Sequence, residues 1–392
     1  IKMLALGEDY LSLTDDELLA PWRDKRLVMS ATSPDSTVPA LDDVLNAADP
    51  AQPQDPKEDD LAVLLYTGGT TGRSKGVQLT HRNITSNGYQ VAIAMDVIKE
   101  DIYLHVAPMF HAADLLCTAY TMLGAAHSFL PAFSAVGALQ ALQDSKVTQA
   151  MMAPTMIIMI LEEPTFDDYD ISSYRNLFYG SSPMAAEWVE KSIQRFTNAG
   201  VQQGYGLTET SPIVTSLDHD DHRNAVESGD TSILRAAGRP LVGIDLKILD
   251  DDGNEVPTGE AGEVCVRGPN VTPGYLNRPE ENEKAFRNGW FHTGDVGRVD
   301  ENGVMFLMDR KKDMIVSGGE NVYCTEVEDA LYAHPGVLEA TVFGVPDEQW
   351  GEAVQAAVVL RAGVQVDEAE LTAHCRERIA GYKVPKGFEF RS

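Results

Sequence analysis

Positive charge is what this sequence has least of. Its 31 Lys and Arg residues face 60 Asp and Glu, for a formal charge of -29. Such a surface repels phosphate backbones and anionic headgroups, which sets aside nucleic-acid binding and peripheral membrane roles. Cysteine is scarce as well: Cys117, Cys265, Cys324 and Cys375 lie far apart and form no C-x-x-C pair. That argues against a disulfide framework or a zinc site and fits a reducing, cytoplasmic setting. No apolar run reaches the roughly 18–20 residues that span a bilayer, and the most apolar stretch, 150–161, is broken by Pro154. No basic, apolar and small-residue leader is visible from Ile1 onward, and the true N-terminus is expected upstream.

What remains is an ordinary globular composition, 43% hydrophobic and 23% charged over 392 residues, long enough for one large core and a smaller domain. Thr14 and Glu17 have the spacing of a capping box, and 47–60 reads as a linker. From Leu61, strand-like runs at 61–66, 103–107, 150–153 and 177–179 alternate with helix-length segments such as 184–197, the texture of α/β layers. After Arg239, short strands flank turn sequences at 250–254 and 300–303, predicting a β-rich subdomain. Beyond Arg310 the pattern predicts a compact α+β domain, with Thr325 and Glu328 capping a helix over 327–333, strands at 338–345 and 355–360, and a helix over 367–379. The domain hinge is placed at 309–312, dividing the chain into 1–309 and 310–392.

The densest chemical signal is Thr67-Gly68-Gly69-Thr70-Thr71-Gly72-Arg73-Ser74-Lys75-Gly76, which follows the strand-like run at 61–66. Glycines bring backbone N–H groups close to an anion, the hydroxyls add donors, and Arg73 and Lys75 supply the charge the rest of the chain lacks. The pattern suits a polyphosphate, yet it is neither a Walker motif nor G-x-G-x-x-G. Four further segments carry chemistry. In Gln203-Gly204-Tyr205-Gly206-Leu207-Thr208-Glu209-Thr210, the glycines expose the ring of Tyr205 and Glu209 offers a hard oxygen for Mg²⁺. Gly180-Ser181-Ser182 closes a strand with small residues, where backbone can approach a flat ligand. Asp295, in His292-Thr293-Gly294-Asp295, is suited to accept from two vicinal hydroxyls, with Arg310 across a hairpin adding donors; an ion pair between the two is the plainer alternative. Gly318-Gly319 follows the charged pivot 309–313 and gives a chain able to change backbone angles. The run Asp218-His219-Asp220-Asp221-His222 reads as a polar loop rather than a metal site.

Taken in order, these motifs resemble the adenylate-forming superfamily of acyl-CoA synthetases, luciferases and peptide-synthetase adenylation domains, over most of the chain from about Asp55 to Arg391. The resemblance implies a large multi-subdomain N-terminal domain, two α/β layers plus a β-rich subdomain, with a small mobile α+β C-terminal domain. It implies that the loop 67–76 holds ATP phosphates, that Gly180, Ser181, Ser182, Gly204, Tyr205 and Gly206 surround adenine, and that Thr208 contacts the α-phosphate. Glu209 then holds Mg²⁺, and Asp295 and Arg310 hold ribose. His111, in Pro108-Met109-Phe110-His111, lies by resemblance near the acyl carboxylate; Lys312 is the hinge, and Gly318-Gly319 line a path for coenzyme A.

The implied activity is ATP-dependent activation of a hydrophobic carboxylic acid, a fatty acid first and an aryl acid second, followed by thioester formation with coenzyme A. The family's catalytic lysine is expected beyond Ser392, so neither Lys383 nor Lys386 is assigned that role, and the front of the family's large domain is expected upstream. Two other readings stay open: a nucleotide- or acyl-adenylate-binding protein without ligase activity, and an amino-acid-activating carrier domain. A homodimer is one option for assembly.

Overall fold

The computed structural model describes residues 38–49, 55–67, 74–182, 184–311, 313–347, 350–361 and 363–391, with the backbone of 4–6 and 26–28. The chain divides into two compact units, Ile1–Pro56 and Lys57–Ser392. In the first, Leu4–Leu6 pairs in parallel with Arg26–Val28, and a helix covers Leu41–Ala47. The helix start expected at Thr14 lies outside the described residues. The boundary between the units falls inside the expected linker at 47–60.

At the centre of the second unit is a seven-stranded sheet. Its five parallel strands run in the spatial order Ala126–Phe129, Ile102–His105, Gln149–Met152, Asn176–Gly180, Gly200–Tyr205, and Thr215–Leu217 and Arg239–Pro240 extend it antiparallel. Side chains alternate across these strands with period two, so each face builds its own core. Leu104, Ala150, Met152, Leu177, Tyr179 and Val201 pack against Leu139, Leu142, Ile157, Ile160 and Val189. Tyr103, Met151 and Phe178 face the other way, onto Val91, Leu116 and Tyr120. The first strand of the series sits between the second and the third, so the crossovers reverse direction between Ile102–His105 and Gln149–Met152, the kind of switch point at which open α/β sheets leave a crevice. The helix Pro154–Leu161 buries Pro154, Ile157, Ile160 and Leu161, so most of the apolar run of 150–161 is core, with Met159 left exposed.

Leu61–Thr67 departs from the alternation the sequence suggests. It joins Lys75–Thr80 and Gly274–Tyr275 in a separate three-stranded antiparallel sheet, and it is only half-buried, with Tyr66 67% exposed. The β-rich subdomain appears as expected: Asp245–Leu249, Gly262–Arg267, Trp290–Val299 and Met305–Arg310 form an antiparallel sheet with Phe286–Arg287 at one edge, and 300–303 turns the last hairpin.

The C-terminal segment has its own core, in which Val327, Leu331, Val354, Val358, Leu371 and Cys375 are buried between a five-stranded sheet and the helices Cys324–Tyr332 and Glu368–Arg376. The expected capping box is not formed there. The helix starts at Cys324, Thr325 Oγ1 donates to the Met308 carbonyl, and Glu328 accepts from Val342 N at 2.8 Å, tying helix to strand instead. The run 218–222 is likewise not a loop: Asp218 accepts from Asp221 N and caps the helix His219–Ser228. His222 is fully buried in that helix, its Nε2 2.9 Å from Tyr179 Oη and its Nδ1 2.6 Å from the Asp218 carbonyl oxygen. Among the described residues no helix is long and apolar enough to cross a membrane.

Candidate functional site

Three of the sequence-predicted segments leave the central sheet at the same edge, because 108–111, 180–182 and 205–209 each follow the carboxyl end of a parallel strand. Gly180 pairs with Gly204 across adjacent strands. The physical reason for glycine here differs from the one the sequence suggested. A Cβ on Gly204 would lie 2.2 Å from Phe178 Cζ, and one on Gly206 would lie 1.8 Å from the Pro212 carbonyl oxygen. The protein's own packing demands glycine at both positions, before any ligand is considered.

Two side-chain constellations gather around the 203–210 segment. In the first, the Tyr205 hydroxyl donates to Asp295 Oδ2 at 2.7 Å, and Arg310 Nε lies 3.5 Å from Asp295 Oδ1. Asp295 and Arg310 are direct register partners on neighbouring strands, so the hairpin itself sets their distance. Burial raises the Asp295 carboxyl above the usual carboxylate range, although the Tyr205 hydrogen bond and the Arg310 charge oppose it. Burial and the Asp295 charge together push the Tyr205 phenol well above its ordinary value. Asp295 is thus a buried carboxylate with partly met demand for donors, the state in which a pair of vicinal hydroxyls is a good partner.

The second constellation contains a residue that sequence reasoning missed. Glu209, buried in the short turn Thr208–Thr210, accepts from Tyr275 Oη at 2.8 Å, while Thr272 N donates to the Glu209 carbonyl. Lys75 Nζ lies 5.0 Å over the Tyr275 ring and 2.6 Å from Glu281 Oε2. Tyr275 therefore links the Glu209 segment to the strand that follows the glycine-rich loop. A second Gly-Tyr pair, Gly274-Tyr275, was the signal available in the sequence. Glu209 Oε2 accepts no hydrogen bond among the described residues, so one oxygen of a buried carboxylate is available to a hard cation such as Mg²⁺.

The remaining candidates are placed as follows. Thr67 and Lys75 are register partners at the mouth of a hairpin, and Ser74 is exposed beside it, on a cleft of about 250 Å³ lined also by Tyr66, Gly76 and Arg278. Gly68, Gly69, Thr70, Thr71 and Gly72 lie outside the described residues, as do Arg73 and Lys312. Ser181 and Ser182 are exposed at the sheet edge. His111 is exposed and caps the turn Ala112–Leu116 through Nδ1, 3.2 Å from Ala113 N; among the described residues no hydrogen bond links it to Thr208, Glu209 or Tyr205. Gly318 and Gly319 adopt φ of 63° and 86°, and Gly318 N donates to the Trp350 carbonyl at 2.8 Å.

A mostly parallel central sheet together with a β-rich subdomain and a small α+β domain is the architecture of adenylate-forming enzymes. The chain belongs to the AMP-binding enzyme family: residues 10–276 match the AMP-binding enzyme model, and 326–392 match the AMP-binding enzyme C-terminal domain. It is 42% identical over 349 residues to a feruloyl-CoA synthase of Amycolatopsis, covering 88% of this chain and 69% of that protein. To a long-chain-fatty-acid–CoA ligase of Bacillus subtilis it is 40% identical, covering 85% of this chain and 59% of the relative. ATP-bound MatB of Rhodopseudomonas palustris matches its fold with a TM-score of 0.86 at 31% identity, over 100% of this chain and 75% of that one. The family resemblance and the fold class expected from the sequence are both borne out.

Proposed function

We propose that this chain is the larger part of an AMP-forming acid:thiol ligase, which activates a hydrophobic carboxylic acid with ATP and transfers the acyl group to coenzyme A. The observation that carries the reading is the Tyr205–Asp295–Arg310 constellation together with the buried Glu209–Tyr275 pair, both anchored on the segment that leaves the carboxyl end of the strand Gly200–Tyr205.

In this reading Asp295 accepts from the ribose hydroxyls and Arg310 donates to the same sugar. Tyr205 offers its ring to adenine while its hydroxyl holds the Asp295 carboxylate in place, and Gly180, Ser181, Ser182, Gly204 and Gly206 form the walls around the base. Glu209, with Tyr275 fixing one oxygen, would hold Mg²⁺, which neutralises triphosphate charge. Thr208 donates to the α-phosphate, and Thr67, Ser74 and Lys75 flank the phosphates together with the loop between them. A carboxylate oxygen of the acid attacks the α-phosphorus and pyrophosphate leaves; the thiol sulfur then attacks the acyl carbon and AMP leaves. The chain's part in both steps is positioning and charge stabilisation. His111 lies beside the acyl entrance, Lys312 is the pivot between 1–309 and 310–392, and Gly318-Gly319 guide the thiol arm.

For the acid we propose an aryl acid of the ferulate type ahead of a fatty acid. The relative of higher identity is a feruloyl-CoA synthase, and much of the apolar run of 150–161, namely Ala150, Met152, Ile157, Ile160 and Leu161, is committed to the core. Acid-dependent exchange of labelled pyrophosphate into ATP, run with ferulate and with fatty acids of several lengths, tests both parts. Exchange driven only by amino acids contradicts the ligase reading, and exchange driven only by fatty acids reverses the order of substrates.

A further inference from the structure

The segment 292–295, which presents Asp295, is itself held by a group outside every motif considered so far. Glu263 is 8% exposed on the strand Gly262–Arg267. Its Oε1 accepts from Gly294 N at 3.3 Å, and its Oε2 lies 3.4 Å from Lys311 Nζ. Lys311 N donates in turn to the Gly294 carbonyl at 2.8 Å. Glu263, Gly294 and Lys311 therefore close a ring of polar contacts in which both backbone groups of Gly294 are engaged. Gly294 sits at φ 76°, a left-handed geometry that favours glycine. A further oxygen contact, Oε2 to His292 Nδ1 at 3.1 Å, and Arg287 Nη2 at 3.4 Å complete the surroundings of the carboxylate, and Asp251 takes Lys311 Nζ at 2.6 Å on the solvent side.

Glu263, Cys265 and His292 bring potential metal-ligating atoms within 4.8 Å of one another. Two cations, Arg287 and Lys311, already neutralise the carboxylate, and burial together with the Glu263 charge pushes the Cys265 thiol up to about 12, so the cluster is poorly suited to a divalent ion. We infer that Glu263 is a positioning residue: it fixes the segment that carries Asp295 and, through Lys311, ties that segment to the chain immediately preceding the pivot at Lys312. This rests on the reading of Asp295 as the ribose acceptor.

The test is a calorimetric comparison of AMP with 2′,3′-dideoxy-AMP as probes, since only the first offers hydroxyls to Asp295. The wild-type chain is expected to prefer AMP by about tenfold or more, the worth of one charge-assisted hydrogen bond. Glu263→Gln keeps an oxygen for Gly294 N but loses the charge that pairs with Lys311, and is expected to shrink that ratio in part while leaving the affinity for the dideoxy probe unchanged. Glu263→Asp keeps the charge but falls short of Gly294, and is expected to lose part of the ratio. Cys265→Ala, on the same strand, is expected to keep it. A full ratio in both Glu263 variants, or an equal loss in Cys265→Ala, overturns the inference. A wild-type chain that binds AMP without preferring it over the dideoxy probe instead removes the Asp295 reading on which the inference stands.

Discussion

The hydroxyl of Tyr205 reaches Asp295 Oδ2 at 2.7 Å across 90 residues of sequence, joining the end of the central parallel sheet to the β-rich subdomain. Neither residue is exceptional alone. Their contact makes an aromatic face and a buried carboxylate parts of one object, and the chemistry proposed for the chain depends on that object.

Tyr205→Phe keeps the ring and removes the hydrogen bond. The expected outcome is about a tenfold weaker affinity for AMP, because a hydrogen bond to a charged acceptor contributes about 1.5–3 kcal/mol and water can recover part of it. Calorimetry with AMP checks this. An affinity unchanged from wild type means that the hydroxyl does not hold the acceptor.

Glu209→Gln removes the charge from the buried oxygen while keeping its shape. Mg-ATP affinity is expected to fall by tenfold or more on the order of one lost cation contact, whereas AMP affinity in the presence of EDTA changes little. Tyr275→Phe is expected to give a smaller loss in the same direction. Equal losses for both ligands point to a packing defect rather than a cation site.

His222 gives a prediction about pH. Burial is the main cause holding its imidazole down at about 4, against an ordinary value of 6.5. The unfolded chain therefore binds a proton that the folded chain refuses between those two values, and folding stability rises with pH across that window, by at most about 1.4 kcal/mol per pH unit for this one group. The contribution is fully present above 6.5, where both states are neutral, and declines as pH falls towards 4. Thermal melts from pH 4.5 to 7.5 should show a steeper rise for wild type than for His222→Gln. Identical slopes contradict the assignment.

Arg175 Nε and Nη2 lie 2.8 and 2.6 Å from the two oxygens of Asp101, a carboxylate 1% exposed that also accepts from Thr148, Gln149 and Ile98 N. Burial pushes that carboxyl up, but Arg175 and the other donors outweigh it and leave it below its ordinary value. Arg175→Met strips the main counter-charge from a buried anion and is expected to cost about 3–5 kcal/mol in chemical denaturation. A loss below about 1 kcal/mol shows that the neutral donors suffice.

Much of this was legible in the sequence where the signal is local. Apolar strand-like runs placed three of the central strands, Ile102–His105, Gln149–Met152 and Asn176–Gly180, to within a few positions, and the turn at 300–303 predicted the hairpin that makes Asp295 and Arg310 register partners. Signals resting on burial or on distant partners were not legible. Thr325 and Glu328 have a cap's spacing, yet Met308 and Val342, from other elements, claim their side chains. The 218–222 run looks exposed because it is charged; only the packing of Tyr179 against His222 shows that one face of a helix is buried there. Leu61–Thr67 reads as a core strand by composition, but its partners place it in a small separate sheet. Tyr275 and Glu263 acquire meaning solely from residues 66 and 31 positions away, Glu209 and Gly294.

Titration of the chain with Mg-ATP, beside the Asp295→Ala and Glu209→Gln variants, tests the central claim most directly. The account predicts saturable binding by wild type, weakened about tenfold or more by each substitution. Absence of binding to wild type, or binding that neither substitution alters, contradicts it.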